Sequence, residues 1–427
     1  MLARGDFIDA TVPSEGYLSS TLPSSLDQRL RLQSNVSGFG QRHAQRLAVA
    51  NAIARAKNAS VLIRSGGFGS ETHRVEASDG AWLTLRRVTL RHESSAKRPV
   101  ALLWPGFGGS ANCFVCAPRK EDNLAFVLAE AGFDVWLGNP RGVDTTPDEN
   151  ISHPTTSQDH TTRPTKWAFS IDDIVSHDIP SVVDFVLAYT HMPNLSYIGI
   201  SQGTTAIFAA LAVNEPLNSK INIVIALAPT LKPMPTSLNP VLVPLFHKFK
   251  WVVGEGAFPS TFSEKLKQVA PPYLTYQFMK ACTLIGFQSW DFSKIGDSMR
   301  QVAMVPHSFN GTSRRVVEHW IQTIESQTSF SHYLPLSAFR RGFSHLFDHV
   351  SHTVACPHIT TRLHLFYSRS DNITDIDHLQ DNLPVQTIFT EIKNYSHIEF
   401  LFALDVKEKV YDKVIDILCK MLDKECI

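Results

Sequence analysis

The chain has 427 residues, 43% of them hydrophobic and 19% charged, enough for one large domain or two ordinary ones around a sizeable apolar core. Lys+Arg and Asp+Glu stand at 40 each, so the basic footprint of a nucleic-acid partner is absent. No run of roughly eighteen apolar residues occurs, which excludes a spanning helix on sequence grounds.

In chain order, residues 1–40 are rich in Ser, Pro and Gly and are expected to be poorly ordered. The opening stretch lacks the continuous apolar segment of a secretory signal, so the expected location is intracellular, on a lipid droplet or a membrane surface. Residues 41–57 place Leu47, Ala50, Ile53 and Ala54 at helical spacing, with Arg42, Arg46, Arg55 and Lys57 elsewhere on the turn. Such a helix can lie on an anionic membrane, but its alanine-rich apolar side favours packing on the domain.

From residue 80 onward, buried strands are expected at 100–106, 134–139, 195–200, 221–229 and 363–368. Helical spacing occupies NLAFVLAEAG and DIPSVVDFVLAYT between them, and Val410, Val414, Ile417, Leu418 and Met421 mark a closing helix. Alternation of strand and helix predicts a mostly parallel sheet covered on both faces. Residues 231–340 break the rhythm with Pro233, Pro235, Pro240, Pro244, Pro259, Pro271 and Pro272 and no clear strand. They read as a helical insertion over the carboxyl edge of the sheet, where ligands bind in such folds. The expected division is an extension at 1–57, core at 58–230 and 341–427, and a cap at 231–340.

Cys113 and Cys116 have redox-motif spacing but follow a glycine-rich stretch, so packing or a structural disulfide is expected instead. The 18 histidines scatter along the chain and do not pair with cysteines at zinc spacing. No metal is therefore assigned, even to the denser group His345, His349, His352, His358 and His364. Sequons occur at Asn35, Asn58, Asn150, Asn194, Asn310, Asn372 and Asn394.

The chemistry centres on Gly199-Ile200-Ser201-Gln202-Gly203, a G-x-S-x-G pattern at a strand-to-helix turn. A serine held up in a strained turn leaves no room for side chains two residues to either side, hence Gly199 and Gly203. A hydroxyl needs an adjacent base to become a nucleophile. Asp371 follows the strand LHLFYS, and His397 precedes the closing helix, in the order serine, acid, histidine. An oxyanion hole needs two backbone N–H groups; Gln202 supplies one, and Phe107 in the loop WPGFGGS supplies the other. A phosphate-loop reading of that loop fails because no Lys-Ser/Thr follows it.

These segments resemble the acid lipase family of the α/β-hydrolases, which holds gastric and lysosomal acid lipases, fungal steryl ester hydrolases and triacylglycerol lipases. The similarity runs from about residue 58 to 420. GGFGSETHRVEASDGAWLTLRRV is similar to the family's segment ahead of the first strand, and LAEAGFDVWLGNPRG to its stretch after the oxyanion loop. KWAFSIDDIVSHDIPSVVDFVL, HSFNGTSRRVVEHW and EIKNYSHIEFLFALDVKEKVYDKVIDIL are similar to its later helix, cap end and histidine loop. The resemblance implies an α/β-hydrolase fold with a helical lid. It places the triad on Ser201, Asp371 and His397 and the oxyanion donors on Phe107 and Gln202. Two departures stand out: Ile200 replaces the family's usual histidine, and Pro105-Gly106 replaces its His-Gly pair.

The expected activity is cleavage of long-chain fatty acid esters, of triacylglycerols or sterols, through an acyl-enzyme and without a cofactor. The insertion's apolar load (Phe246, Phe249, Trp251, Phe258, Phe262, Tyr273, Phe278, Phe287, Trp290 and Phe292) suits an acyl chain and a lipid surface. The competing readings are a thioesterase or other esterase on the same fold, and a non-catalytic lipid-binding protein.

Overall fold

The computed structural model describes residues 38–90, 97–143, 167–237, 257–258, 269–286, 292–308, 310–326, 329–333, 356 and 358–422. The expectations for residues 1–37, Asn35, Asn150, His345, His349 and His352, and for most aromatic side chains of the insertion, lie outside the described residues.

The strands are β1 (Gly69–Glu76), β2 (Trp82–Thr89), β3 (Val100–Trp104), β4 (Asp134–Leu137), β5 (Leu195–Ile200), β6 (Ile221–Leu227), β7 (Ala257–Phe258), β8 (Thr312–Ser313), β9 (Arg362–Tyr367) and β10 (Ile388–Glu391). Eight form one sheet in the order β1-β2-β4-β3-β5-β6-β9-β10, while β7 and β8 pair by themselves. The ladder is parallel from β4 to β10 and antiparallel at the β1–β2 and β2–β4 joints.

The pleat divides the core into two layers. Leu103, Ile198, Ile200, Ile223, Ile225 and Leu227 face one way, and Leu102, Trp104, Tyr197, Val224 and Ala226 the other. Helices α1 (Gly38–Ala54), α2 (Ala59–Ser65) and α3 (Leu124–Glu130) cover the first face. Helices α4 (Ile179–Thr190) and α5 (Gln202–Val213) cover the second. Residues 231–340 supply α6 (Pro272–Gly286) and α7 (Ser298–Ser308) to the first layer and α8 (Arg314–Ser326) to the second. After β9 come α9 (Ile376–Asn382) and the closing α10 (Asp412–Met421). A buried isoleucine such as Ile198 or Ile225 stabilises each layer by about 1.5–3 kcal/mol.

Several expectations are corrected. The segment placed ahead of the first strand is itself β1 and β2, a hairpin paired from Gly69–Thr89 to Glu76–Trp82. It reads as polar because its inward polar groups satisfy one another: the fully buried Arg86 donates to Ser60 Oγ at 2.8 Å and to Thr72 Oγ1. The edge strand β10 carries too few apolar residues to announce itself. The two-residue β7–β8 ladder lies in the region expected to lack strands, and Pro233 of the same region bridges Thr374.

The expected helix at 41–57 is α1, and it packs: Ala50, Ile53 and Ala54 are buried, and His307 Nε2 donates to the Ile53 carbonyl at 2.7 Å. Arg46 on its outer side pairs with Asp297. Cys113 and Cys116 are buried in the first layer, where burial pushes the Cys113 thiol well up and Cys116 donates to the Cys113 carbonyl at 4.0 Å. A reactive dithiol needs the opposite environment. Asn58 is a buried N-cap that accepts from the Val61 N–H at 3.2 Å.

Candidate active site

Topology selects the site before any side chain is considered. The chain passes from β3 to β4 on one side and to β5 on the other, so a switch point opens at the carboxyl ends of β3 and β5. Pro105 and Gly106 follow β3 there, and Ser201 follows β5.

Ser201 has φ 53° and ψ −124°, a positive-φ conformation that costs a non-glycine residue on the order of 1–3 kcal/mol. Packing enforces it. A Cβ at Gly203 would lie 2.7 Å from the carbonyl oxygens of Trp104 and Pro105, and one at Gly199 would lie 2.9 Å from the Tyr197 ring. The Tyr197 hydroxyl donates to the Gly203 carbonyl at 3.0 Å, and the Ser201 N–H donates to the Leu227 carbonyl at 3.0 Å. Gly106 is equally confined, because a Cβ there would lie 2.9 Å from Ser201 Cβ.

Three residues remote in the chain converge. His397 Nε2 lies 2.7 Å from Ser201 Oγ, and His397 Nδ1 lies 2.8 Å from Asp371 Oδ2. Asp371 and His397 are buried; Ser201 is half-buried. The carboxylate accepts the Nδ1–H, which leaves the Nε2 lone pair facing the serine O–H. Asp371 also accepts from the Ile373 N–H at 2.9 Å and the Thr374 hydroxyl at 2.8 Å. Burial pushes the Asp371 carboxyl up, but His397, Ile373 and Thr374 outweigh burial and hold it below the usual carboxylate range.

The Gln202 N–H opens α5, where a first-turn amide has no intrahelical acceptor. Phe107 stands directly after Gly106 in a turn closed by the Gly109 N–H on the Gly106 carbonyl at 3.0 Å. Asn310, just past α7, holds this turn. The Asn310 N–H donates to the Gly108 carbonyl at 2.6 Å, and the Asn310 side chain donates to Ser110 Oγ at 2.7 Å. From inside, the Ala111 N–H donates to Asn139 Oδ1 at 2.8 Å.

Sequence reasoning missed the supporting groups. Thr374 stands three residues past Asp371, and spacing gives no reason to choose it. Thr204 donates to the Ser201 carbonyl at 2.7 Å, and Thr205 to the Thr230 carbonyl at 2.6 Å. Trp320 donates its indole N–H to Gln202 Oε1 at 2.7 Å across 118 residues. HSFNGTSRRVVEHW ends on this tryptophan but names no partner for it.

Of the described histidines considered as ligands, His364 stacks on Phe366, lies 2.8 Å from Thr390 Oγ1 and is lowered by burial. Among the described residues one group brings potential metal ligands within 4.8 Å of one another: Asp79, Asp173 and His177. Arg141 already takes Asp79 at 2.6 Å, and Ser78 Oγ lies 2.7 Å from His177 Nδ1.

The α/β hydrolase fold family matches residues 99–261. A probable lipase of Schizosaccharomyces pombe is 30% identical over 382 residues, covering 86% of this chain and 81% of the relative. Gastric triacylglycerol lipase of Bos taurus is 30% identical over 384 residues, covering 85% and 91%. The Homo sapiens enzyme of that name is 28% identical over 374 residues, covering 84% and 90%. A nearly full-length match, laid on this sheet and switch point, identifies the chain as a member of the acid lipase family of α/β-hydrolases and a carboxylic ester hydrolase.

Proposed function

We propose that the protein is a serine lipase that cleaves long-chain fatty acid esters through an acyl-enzyme. The carrying observation is His397 bridging the Ser201 hydroxyl and the Asp371 carboxylate at 2.7 and 2.8 Å. Ser201 Oγ attacks the ester carbonyl carbon while its proton passes to His397 Nε2. The carbonyl oxygen becomes an oxyanion and accepts hydrogen bonds from the Phe107 and Gln202 N–H groups, each worth about a hundredfold or more in rate. His397 then returns the proton to the departing alkoxide. Water, deprotonated by the same imidazole, attacks the acyl carbon; the fatty acid leaves and Ser201 regains its proton. Asp371 keeps the imidazole tautomer and stabilises the transient imidazolium.

The triacylglycerol is the favoured substrate, in keeping with the name of the gastric relatives. Residues 231–340 are proposed as the cap over the acyl chain, since Asn310, just past α7, touches the oxyanion turn and α8 touches Gln202. Among the described residues no helix is long and apolar enough to cross a membrane. Peripheral contact is proposed through Val269 and the outer face of α6, where Tyr273, Leu274 and Phe278 are exposed. Asn372 and Asn394 are exposed beside Asp371 and His397, so both sequons are proposed to be unmodified in active protein.

The test is a fluorophosphonate probe together with triolein emulsion and a cholesteryl ester. Wild-type protein should be labelled and should release fatty acid from triolein, and Ser201→Ala should lose both. Equal labelling of the two proteins would assign the nucleophile elsewhere.

A further inference from the structure

The buried contact between Trp320 and Gln202 joins the insertion to the proposed oxyanion site. Trp320 lies on α8, packed in the second core layer beside Phe330, with ring centroids 6.3 Å apart. Both Trp320 and Gln202 are more than nine-tenths buried, and the indole N–H donates to Gln202 Oε1 at 2.7 Å. An indole N–H in such a place needs an acceptor, and a glutamine carbonyl in such a place needs a donor.

Position makes the pair more than mutual satisfaction. Gln202 is the first residue of α5, directly after the strained Ser201. The orientation of its N–H is set by one peptide plane, between a residue at φ 53° and a helix start, where helices tend to fray. The helix body is pinned by Thr204 and Thr205 through the Ser201 and Thr230 carbonyls. Those bonds, with the Thr204 N–H on the Ser201 carbonyl at 2.8 Å, hold the carbonyl end of the peptide plane that carries the Gln202 N–H, and the Trp320 bond adds a hold on the Gln202 side of it.

We infer that Trp320 is a positioning residue: by fixing the Gln202 side chain it holds the Gln202 N–H in line with the developing oxyanion, so the insertion sets turnover as well as substrate shape. The inference rests on the proposed role of Gln202, and its effect falls on the transition state more than on ester binding.

Trp320→Phe removes the donor and keeps an aromatic ring; Gln202→Met removes the acceptor at similar volume. With a soluble p-nitrophenyl ester, each variant should lose about tenfold in kcat, the size of one buried hydrogen bond, with KM held within about twofold. The double variant should be no slower than the slower single variant, because both remove one interaction. Fluorophosphonate labelling should survive in both singles at a reduced rate, and its loss in Ser201→Ala separates failure of the serine mechanism from failure of this inference. Circular dichroism melting identifies a variant that fails to fold, and Gln202→Met then carries the test alone. Unchanged kcat in Gln202→Met, multiplied losses in the double variant, or a change confined to KM would overturn it.

Discussion

At the scale of single residues, the site is a set of close approaches that tolerate no added atom. Gly106→Ala would drive a methyl to within 2.9 Å of Ser201 Cβ. Because the neighbour is the strained residue proposed as nucleophile, the expected result is a kcat loss of about a hundredfold with little change in thermal stability, read by ester turnover beside a melting curve. Asp371→Asn should cost more, on the order of 10⁴ in kcat, because an amide can present an N–H to His397 Nδ1 and reverse the tautomer. Removing the Thr374 hydroxyl by Thr374→Val takes away one of three donors that keep Asp371 ionised. The carboxylate should then protonate at a higher pH than in wild type, read by following its carboxyl carbon in an NMR pH titration. The three proposed reacting residues were legible because their chemistry forces an order and a position after strands. Thr374 and Trp320 were not, since a hydrogen-bond donor of common type acquires its meaning only from what faces it.

At the scale of elements, the parallel strands were legible and the hairpin was not, and burial explains both. A strand covered on two faces is apolar at most positions, as in VALLW, whereas β1 and β2 bury polar residues, Arg86 bonding Thr72 and His73 bonding Glu71. The same network gives the hairpin a pH signature. Glu71 accepts from His73 Nε2 at 3.2 Å and from Arg87 at 3.1 Å, and its carboxyl is held at about 2 against an ordinary 4.5. The His73 hydrogen bond is the largest cause; burial opposes it, and Arg87 adds to it. A carboxyl with a lowered folded-state value stabilises the fold above the unfolded value and loses that contribution as pH falls toward the folded one. Glu71→Gln should therefore destabilise by about 1 kcal/mol at pH 7, after discounting for its exposure, and the gap in urea midpoints should close between pH 4.5 and about 2.

At the scale of the whole molecule, the sheet provides a rigid floor and the insertion meets it at the loops where the proposed chemistry occurs. The proposed lipid-facing side of α6 predicts a separation of activities. Replacing Tyr273, Leu274 and Phe278 together with serine should lower triolein hydrolysis in emulsion about tenfold or more while leaving hydrolysis of a dissolved short-chain ester within about twofold. Equal loss on both substrates would place that face in folding instead of lipid contact. The proposed insertion stands out in the sequence as a break in rhythm and an excess of aromatic residues. Its attachments do not, since each joins polar groups of common type to partners far away in the chain.

Those attachments constrain what can be exchanged. Asn310 grips the turn at Gly108, Trp320 reaches Gln202, and Lys294 spans the Asn394 carbonyl and the Glu399 carboxylate on the stretch that carries His397. Grafting the corresponding helices from a relative would import new side chains against three unaltered receivers. Such chimaeras should lose speed before they gain any new selectivity, and restoring them would call for co-transplanting the receiving loops.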